Sequence, residues 1–436
     1  MTNTFRRHLA LALAAGCLAA LTISLQANSA PAQEELHALF VRYDRELDGP
    51  AKDKLAEQID RVAHQKYATV SRLYWYTDLA SAKTAAREYG RPILHLRMLG
   101  KLDEELSCAN SRLFRATLYA NQDVSRFLRE RFILYWSSER PVPHVTIDYG
   151  DGRRLERTAT GNSAHYILDE HGNVLDVLPG LYAPTAFVRE LEGSLALAAS
   201  VRDKSDDERA KLLVDYHGQG VIAAKRDWEG LAGMRWIPGA AQLLTQGPLA
   251  EAQLRTTAKV ATELPIVRFF AKGLAPEAVS EDQIEMWATA GQVLYGIGDL
   301  THATARQTSR VELTMRRAQL PAPPPVLDEA SRALVVRLHN GVPRELRGEL
   351  RATGKQLDAM IARLEQAIVA DSALNQLRLR PQIGREIVRR GGRTDFATLN
   401  AWIYAEVFRT PKEDAWLGLL PRNVFTGLPG DGVVMR

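Results

Sequence analysis

The sequence predicts an α/β domain over residues 75–198 followed by a mainly α-helical region, and three observations carry that reading. Between residues 74 and 193, apolar runs of strand length alternate with segments of helical periodicity. After residue 200 the strand signals stop, while apolar residues continue to recur at three- and four-residue steps. Within that helical part, Pro321-Ala322-Pro323-Pro324-Pro325 forms a stiff spacer, separating residues 199–320 from 327–436 with a linker at 321–326. A chain of 436 residues accommodates this division, since domains run to about 100–200 residues each.

The elements follow in order. Residues 1–32 read as a secretory signal: Arg6 and Arg7 precede an apolar run from Leu9 to Leu25, and Ala30-Pro31-Ala32 ends it, placing the cut before Gln33. An uncleaved anchor and a lipoprotein box at Leu13-Ala14-Ala15-Gly16-Cys17 remain open alternatives. Residues 33–74 form a helical arm, with Leu36, Leu39, Phe40, Leu55, Ile59, Val62 and Ala63 on helical spacing and a break at Gly49-Pro50. Ala80–Tyr89 reads as a helix stopped by Gly90, and Pro92–Leu99 as a strand. Ser111–Leu128 reads as one helix and Phe132–Trp136 as a second strand. Val145–Tyr149 with Gly150-Asp151-Gly152 signals an inserted hairpin. Two further strands, Ala164–Asp169 and Asn173–Leu178, flank Glu170-His171-Gly172, and a helix from Pro184 to Leu197 closes the domain. Beyond it, Leu346, Leu350, Leu357, Ile361, Leu364 and Ile368 form one apolar helix stripe, a helical core rather than a partner groove. The segment Thr410–Arg436 mixes apolar side chains with glycine and proline and reads as an irregular tail wrapped on the helical region.

Charge and cysteine content narrow the function classes. The formal net charge is +4, and Arg6 and Arg7 are the only lysine or arginine residues before Gln33, with no acid among them, so the cleaved chain carries +2. So small an excess argues against nucleic acid as a partner, and membrane contact is expected only if the N-terminal segment stays attached or Cys17 is lipidated. The chain has two cysteines. With Cys17 inside the signal, the mature protein holds one thiol, Cys108, and no internal disulfide. In an oxidising compartment such a thiol is either buried and inert or available to another molecule.

The stretch Ala82–Leu94, with its helix ending in Gly90-Arg91-Pro92 before a strand, resembles the opening of exported thioredoxin-like domains. Cys108-Ala109-Asn110-Ser111-Arg112-Leu113-Phe114 stands at the place of that family's Cys-x-x-Cys-(Lys/Arg)-x-Met. Tyr119, Asn121 and Asp123-Val124 match its aromatic, acidic and valine positions, and Phe127–Ile133 resembles its approach to the next strand. The likeness covers residues 75–193. It implies a central mixed sheet flanked by helices, and two departures from the pattern bear on activity. The second cysteine is Ser111, so the internal thiol that would resolve a mixed disulfide is missing. The family's cis-proline position falls on Ser163.

Cys108, Ser111, Ser163 and His165 are therefore the candidate site residues. In the family's fold Cys108 would start the helix, where backbone N–H groups and Arg112 favour a thiolate while Asp103, Glu104 and Glu105 oppose it. His165, two residues past Ser163, would either activate Cys108 or sit as a hydrogen-bonded strand histidine. His144, His165 and His171 lack metal-ligand spacing, and no phosphate loop, nucleophile elbow or zinc-protease motif occurs, so neither metal nor cofactor is expected. Arg378, Arg380, Arg385, Arg389, Arg390 and Arg393 read as a solvated basic surface partly countered by Glu386 and Asp395. The expectation is an exported protein, periplasmic or secreted, that acts by binding other proteins. The alternative is a single-thiol redox protein in which Cys108 forms a mixed disulfide or sulfenic acid.

Overall fold

The computed structural model describes residues 29–158, 162–233, 281–295, 326–341 and 352–408. Residues 1–28 of the expected 1–32 signal, the Pro321–Pro325 spacer, Leu346, Leu350 and the Thr410–Arg436 tail lie outside the described residues, and residues 29–32 open the first helix.

Two helices open the described chain, α1 (Ser29–Arg45) and α2 (Pro50–Ala63). They part at Gly49-Pro50, where proline at the start of α2 gives up an N–H that would have no helical partner there. Leu36 and Leu39 of α1 and Leu55, Ile59 and Ala63 of α2 close on Ala68, forming a small core apart from the main one. Gln33 is docked on the body, its side-chain amide donating to the Tyr76 hydroxyl at 3.1 Å.

The next elements are α3 (Leu79–Tyr89), β1 (Ile93–Leu99), α4 (Ala109–Leu113, continued as a wide turn over Phe114–Leu118), α5 (Gln122–Arg131) and β2 (Ile133–Arg140). Asp78 caps α3 by accepting from the Ser81 N–H, and Gly90 ends it in the left-handed conformation at φ 62°. The expected single helix over Ser111–Leu128 is two helices. Asn121 takes an extended backbone and accepts from the Asp123 and Val124 N–H groups, restarting the helix as α5. The hairpin β3 (His144–Asp148) and β4 (Arg154–Thr158) forms its own two-stranded sheet. Strands β5 (Ala164–Leu168) and β6 (Val174–Pro179) follow, then α6 (Pro184–Val201).

The main sheet is mixed and four-stranded, in the order β2–β1–β5–β6. β1 and β2 are parallel, as the α4–α5 crossover between them requires. β5 runs antiparallel to β1 and β6 antiparallel to β5. Register places His95 opposite Tyr166 and Leu96 opposite His165, so these two pairs face opposite sides of the sheet.

The described helical region consists of α7 (Asp206–Gly233), α8 (Glu281–Tyr295), α9 (Glu329–His339), α10 (Lys355–Leu374, continued over Asn375–Leu379), α11 (Arg380–Arg389) and α12 (Phe396–Trp402, continued over Ile403–Val407). The apolar stripe falls on α10, where Ile361 and Ile368 are buried and Leu357 and Leu364 pack against the core. One continuous apolar core joins the sheet to these helices. The arginine cluster divides: Arg385, Arg389 and Arg393 lie exposed as its composition predicts, while Arg380 and Arg378 do not. Arg380 is buried against Asp176 of β6 and Glu190 of α6, and Arg378 lies over the Trp228 ring at 4.2 Å. Arg389 and Arg390 pair with Glu386, Arg393 pairs with Asp207, and Asp395 caps α12.

Candidate functional site

Cys108 ends the loop after β1 and precedes the first residue of α4 in an extended conformation. Its N–H returns to the Leu99 carbonyl at 3.3 Å, tying the loop back to the strand end. The loop is also held from inside. Arg115, on the buried face of α4, donates to the carbonyls of Leu102 at 2.9 Å, Glu104 at 2.6 Å and Glu105 at 3.3 Å. Burial lowers the Arg115 pKa, yet an arginine so far above neutrality remains a cation. Its charge is spent on peptide oxygens.

The Cys108 side chain has zero exposure. Its Sγ lies 3.2 Å from Ser163 Oγ and 3.5 Å from Ser111 Oγ. Ser111 in turn donates to the Cys108 carbonyl at 2.8 Å, and its Oγ lies 2.7 Å from the Ser107 hydroxyl. The chamber is a thiol among three hydroxyls, with Ser107, Ser111 and Ser163 all buried. The structure thus brings Cys108, Ser111 and Ser163 together.

His165 does not join them. Its Nε2 is hydrogen-bonded to the Tyr119 hydroxyl at 2.7 Å, and its ring packs between Phe114 and Phe187, with centroids at 4.8 and 4.9 Å. Complete burial pushes its pKa down to about 3, so it is neutral at any working pH. An imidazole with so depressed a pKa is too weak a base to take the Cys108 proton, and its Nε2 is already committed to Tyr119. Arg112, the nearest sequence cation, donates to Thr158 Oγ1 at 3.0 Å. The other candidate histidines lie apart from the chamber: His144 begins the β3–β4 hairpin and His171 pairs with Glu170 at the β5–β6 turn. Among the described residues no cluster of His, Cys, Asp and Glu could hold a metal.

Sequence reasoning missed four participants. Ser107 completes the hydroxyl ring. The Asn110 side-chain amide is buried, and neither its Nδ2 nor its Oδ1 has a hydrogen-bond partner among the described residues. Asn162 and Tyr404 seal one wall: the Tyr404 hydroxyl is 3.1 Å from the Asn162 carbonyl and 3.4 Å from that of Arg97, and Asn162 Nδ2 donates to the Phe408 carbonyl at 3.4 Å. The one sequence signal for this wall was the i, i+4 repeat of polar and aromatic side chains at Phe396, Asn400, Tyr404 and Phe408.

On the opposite sheet face, His95 accepts or donates at Ser137 Oγ, 2.7 Å away, and its ring meets Tyr135, Tyr166 and Phe396. Burial and the neighbouring Arg97 cation hold its pKa well below the ordinary value. Asn400 bridges this face, donating to Glu139 at 2.7 Å and accepting from the Tyr166 hydroxyl at 3.0 Å. Residues 396–408 therefore cover both this face and the Asn162 end of the Cys108 chamber.

The chemistry open to such a site is narrow. Cys108 is the free cysteine among the described residues, and no second thiol stands by to expel a mixed disulfide. Its hydrogen bonds go to hydroxyls and not to a base or a cation, and its complete burial leaves an attacking reagent no direct approach. The body carrying this site is a mixed α/β sheet joined to a helical region. Comparison with protein-family models, with curated proteins and with solved structures gives no match to the chain.

Proposed function

We propose that this is an exported, thioredoxin-like protein that acts by binding other proteins and not by dithiol exchange. The thioredoxin-like reading is supported by the order β2–β1–β5–β6, by the parallel crossover that starts at Cys108, and by the antiparallel pair closed by α6. All peptide bonds are trans among the described residues, in keeping with serine at position 163. The observation that carries the functional reading is the burial of Cys108 among Ser107, Ser111 and Ser163. A surface suited to binding remains on the β3–β4 hairpin, a separate two-stranded edge with exposed Tyr149 at its turn.

Native thiol titration with a small aromatic disulfide tests this reading, alongside turnover assays with disulfide and peroxide substrates and Cys108→Ser as the blank. Slow, stoichiometric labelling with no Cys108-dependent turnover is the expected result. Turnover that vanishes in Cys108→Ser would overturn the binding role and restore the single-thiol alternative.

A further inference from the structure

We propose that residues 395–408 form a latch over the Cys108 chamber, and that its release exposes the thiol while the sheet stays folded. Three features of the segment point to this. First, it contributes no strand: the ladder is complete within β1, β2, β5 and β6, so the latch can leave without breaking a backbone pair of the sheet. Second, the latch carries its own start signal. Asp395 accepts from the Thr398 N–H, so the helix can move as a unit. The turn behind it is anchored: Gly391 and Gly392 are left-handed at φ 65° and 71°, and a Cβ on Gly392 would meet the Ala210 carbonyl of α7 at 2.3 Å. Rotation at Arg393 and Thr394 then breaks one exposed ion pair, Arg393 with Asp207.

Third, its grip combines a few polar contacts with one short apolar row, Leu399, Ile403, Tyr404, Val407 and Phe408. The Tyr404 hydroxyl meets the Asn162 and Arg97 carbonyls, the Phe408 carbonyl accepts from Asn162, and Asn400 bridges Glu139 and Tyr166. Water replaces such bonds only in part on opening, so each of them still slows release, alongside the burial of Leu399, Ile403, Tyr404, Val407, Phe408 and the Phe396 ring. That is a fraction of the apolar surface the whole fold hides, which places the opening among sub-global events. Because Asn162 precedes Ser163, and Ser163 touches the Cys108 sulfur, loss of the Tyr404 contact uncovers the thiol from that side.

The proposal stands on these contacts and needs neither the thioredoxin likeness nor a binding role. Its test is N-ethylmaleimide labelling of the full chain in graded, sub-denaturing urea, with peptide mass spectrometry counting Cys108 separately from Cys17. Global unfolding is followed by tryptophan fluorescence on the same samples. Labelling of Cys108 should rise with urea at less than about half the global slope, since less surface is exposed. Tyr404→Phe and Asn400→Ala should each speed labelling in zero urea by about tenfold. Ile59→Val, in the separate N-terminal core, should leave it unchanged. Labelling with the full global slope would overturn the latch, as would latch variants no faster than Ile59→Val. Immediate labelling of the unmodified chain would also overturn it. Redox turnover, by contrast, would defeat the binding role and leave the latch standing.

Discussion

His165 shows what burial does to one residue whose chemistry looked promising. Its ring is fully desolvated, and its pKa falls from 6.5 to about 3. The sign of the pH effect follows. Between those values the unfolded chain binds a proton that the folded chain refuses, so stability falls as pH drops below 6.5. Each unit costs about 1.4 kcal/mol from this group, or about 2 kcal/mol between pH 6.5 and 5. His165→Gln keeps a donor near Tyr119 and removes the titration. Urea midpoints at pH 7 and pH 5 should therefore converge in the variant by about that amount. An unchanged pH dependence would mean that His165 is protonated in the folded state. Cys108 belongs to the same scale. Its burial is set by Ser163, 55 residues away in sequence, and no local pattern around Cys108 announced it.

At the scale of elements, packing overrides propensity where two helices meet. Gly291 lies within α8, and a Cβ built there would come 2.4 Å from the Val369 carbonyl of α10. Alanine gains about 1 kcal/mol of intrinsic helix preference over glycine. Overpacking against a backbone atom that cannot rotate away costs about 1–3 kcal/mol. The second term wins, so Gly291→Ala should lower stability by about 1 kcal/mol in chemical denaturation. A net gain would show that α8 and α10 shift apart freely. The break between α4 and α5 illustrates the opposite case, where a local signal decides. Asn121 satisfies two N–H groups with its side chain, and the helix restarts at that cap although its apolar pattern runs through.

Across the whole molecule, one buried ionic cluster ties the sheet to the helices. Arg380 of α11 donates to Asp176 of β6 at 2.6 Å and pairs with Glu190 of α6. Ser194 and Tyr216 complete the Asp176 shell at 2.7 and 3.1 Å. Burial opposes the Asp176 charge, but the Arg380 cation and these donors outweigh it and hold the carboxyl below its ordinary pKa. A depressed carboxylate contributes stability above the unfolded value, near 4, that is lost as pH falls through the folded value. Arg380→Ala leaves two carboxylates without their cation and should cost about 3–5 kcal/mol. Combining Arg380→Met with Asp176→Asn should cost less than the sum of the two single changes, measured as a double-mutant cycle. Additive losses would mean that the pair does not couple sheet and helices.

Much of the architecture is legible in the sequence alone. β1, β5, β6, the inserted hairpin and the glycine stop of α3 follow from period-two patterns and turn residues, which act over a few positions. The N-terminal arm and its break at Gly49-Pro50 are equally local. The sequence by itself also determined that a serine, and not a second cysteine, stands three residues after Cys108, because that is a matter of composition at positions 108 and 111. Tertiary structure alone decided whether that thiol is reachable, which histidine pairs with Tyr119, and which arginine is buried. Those outcomes depend on contacts spanning 46 residues for Tyr119–His165, 204 for Asp176–Arg380 and 242 for Asn162–Tyr404. Solvation and charge pairing are properties of such assembled surroundings, and a linear pattern does not contain them.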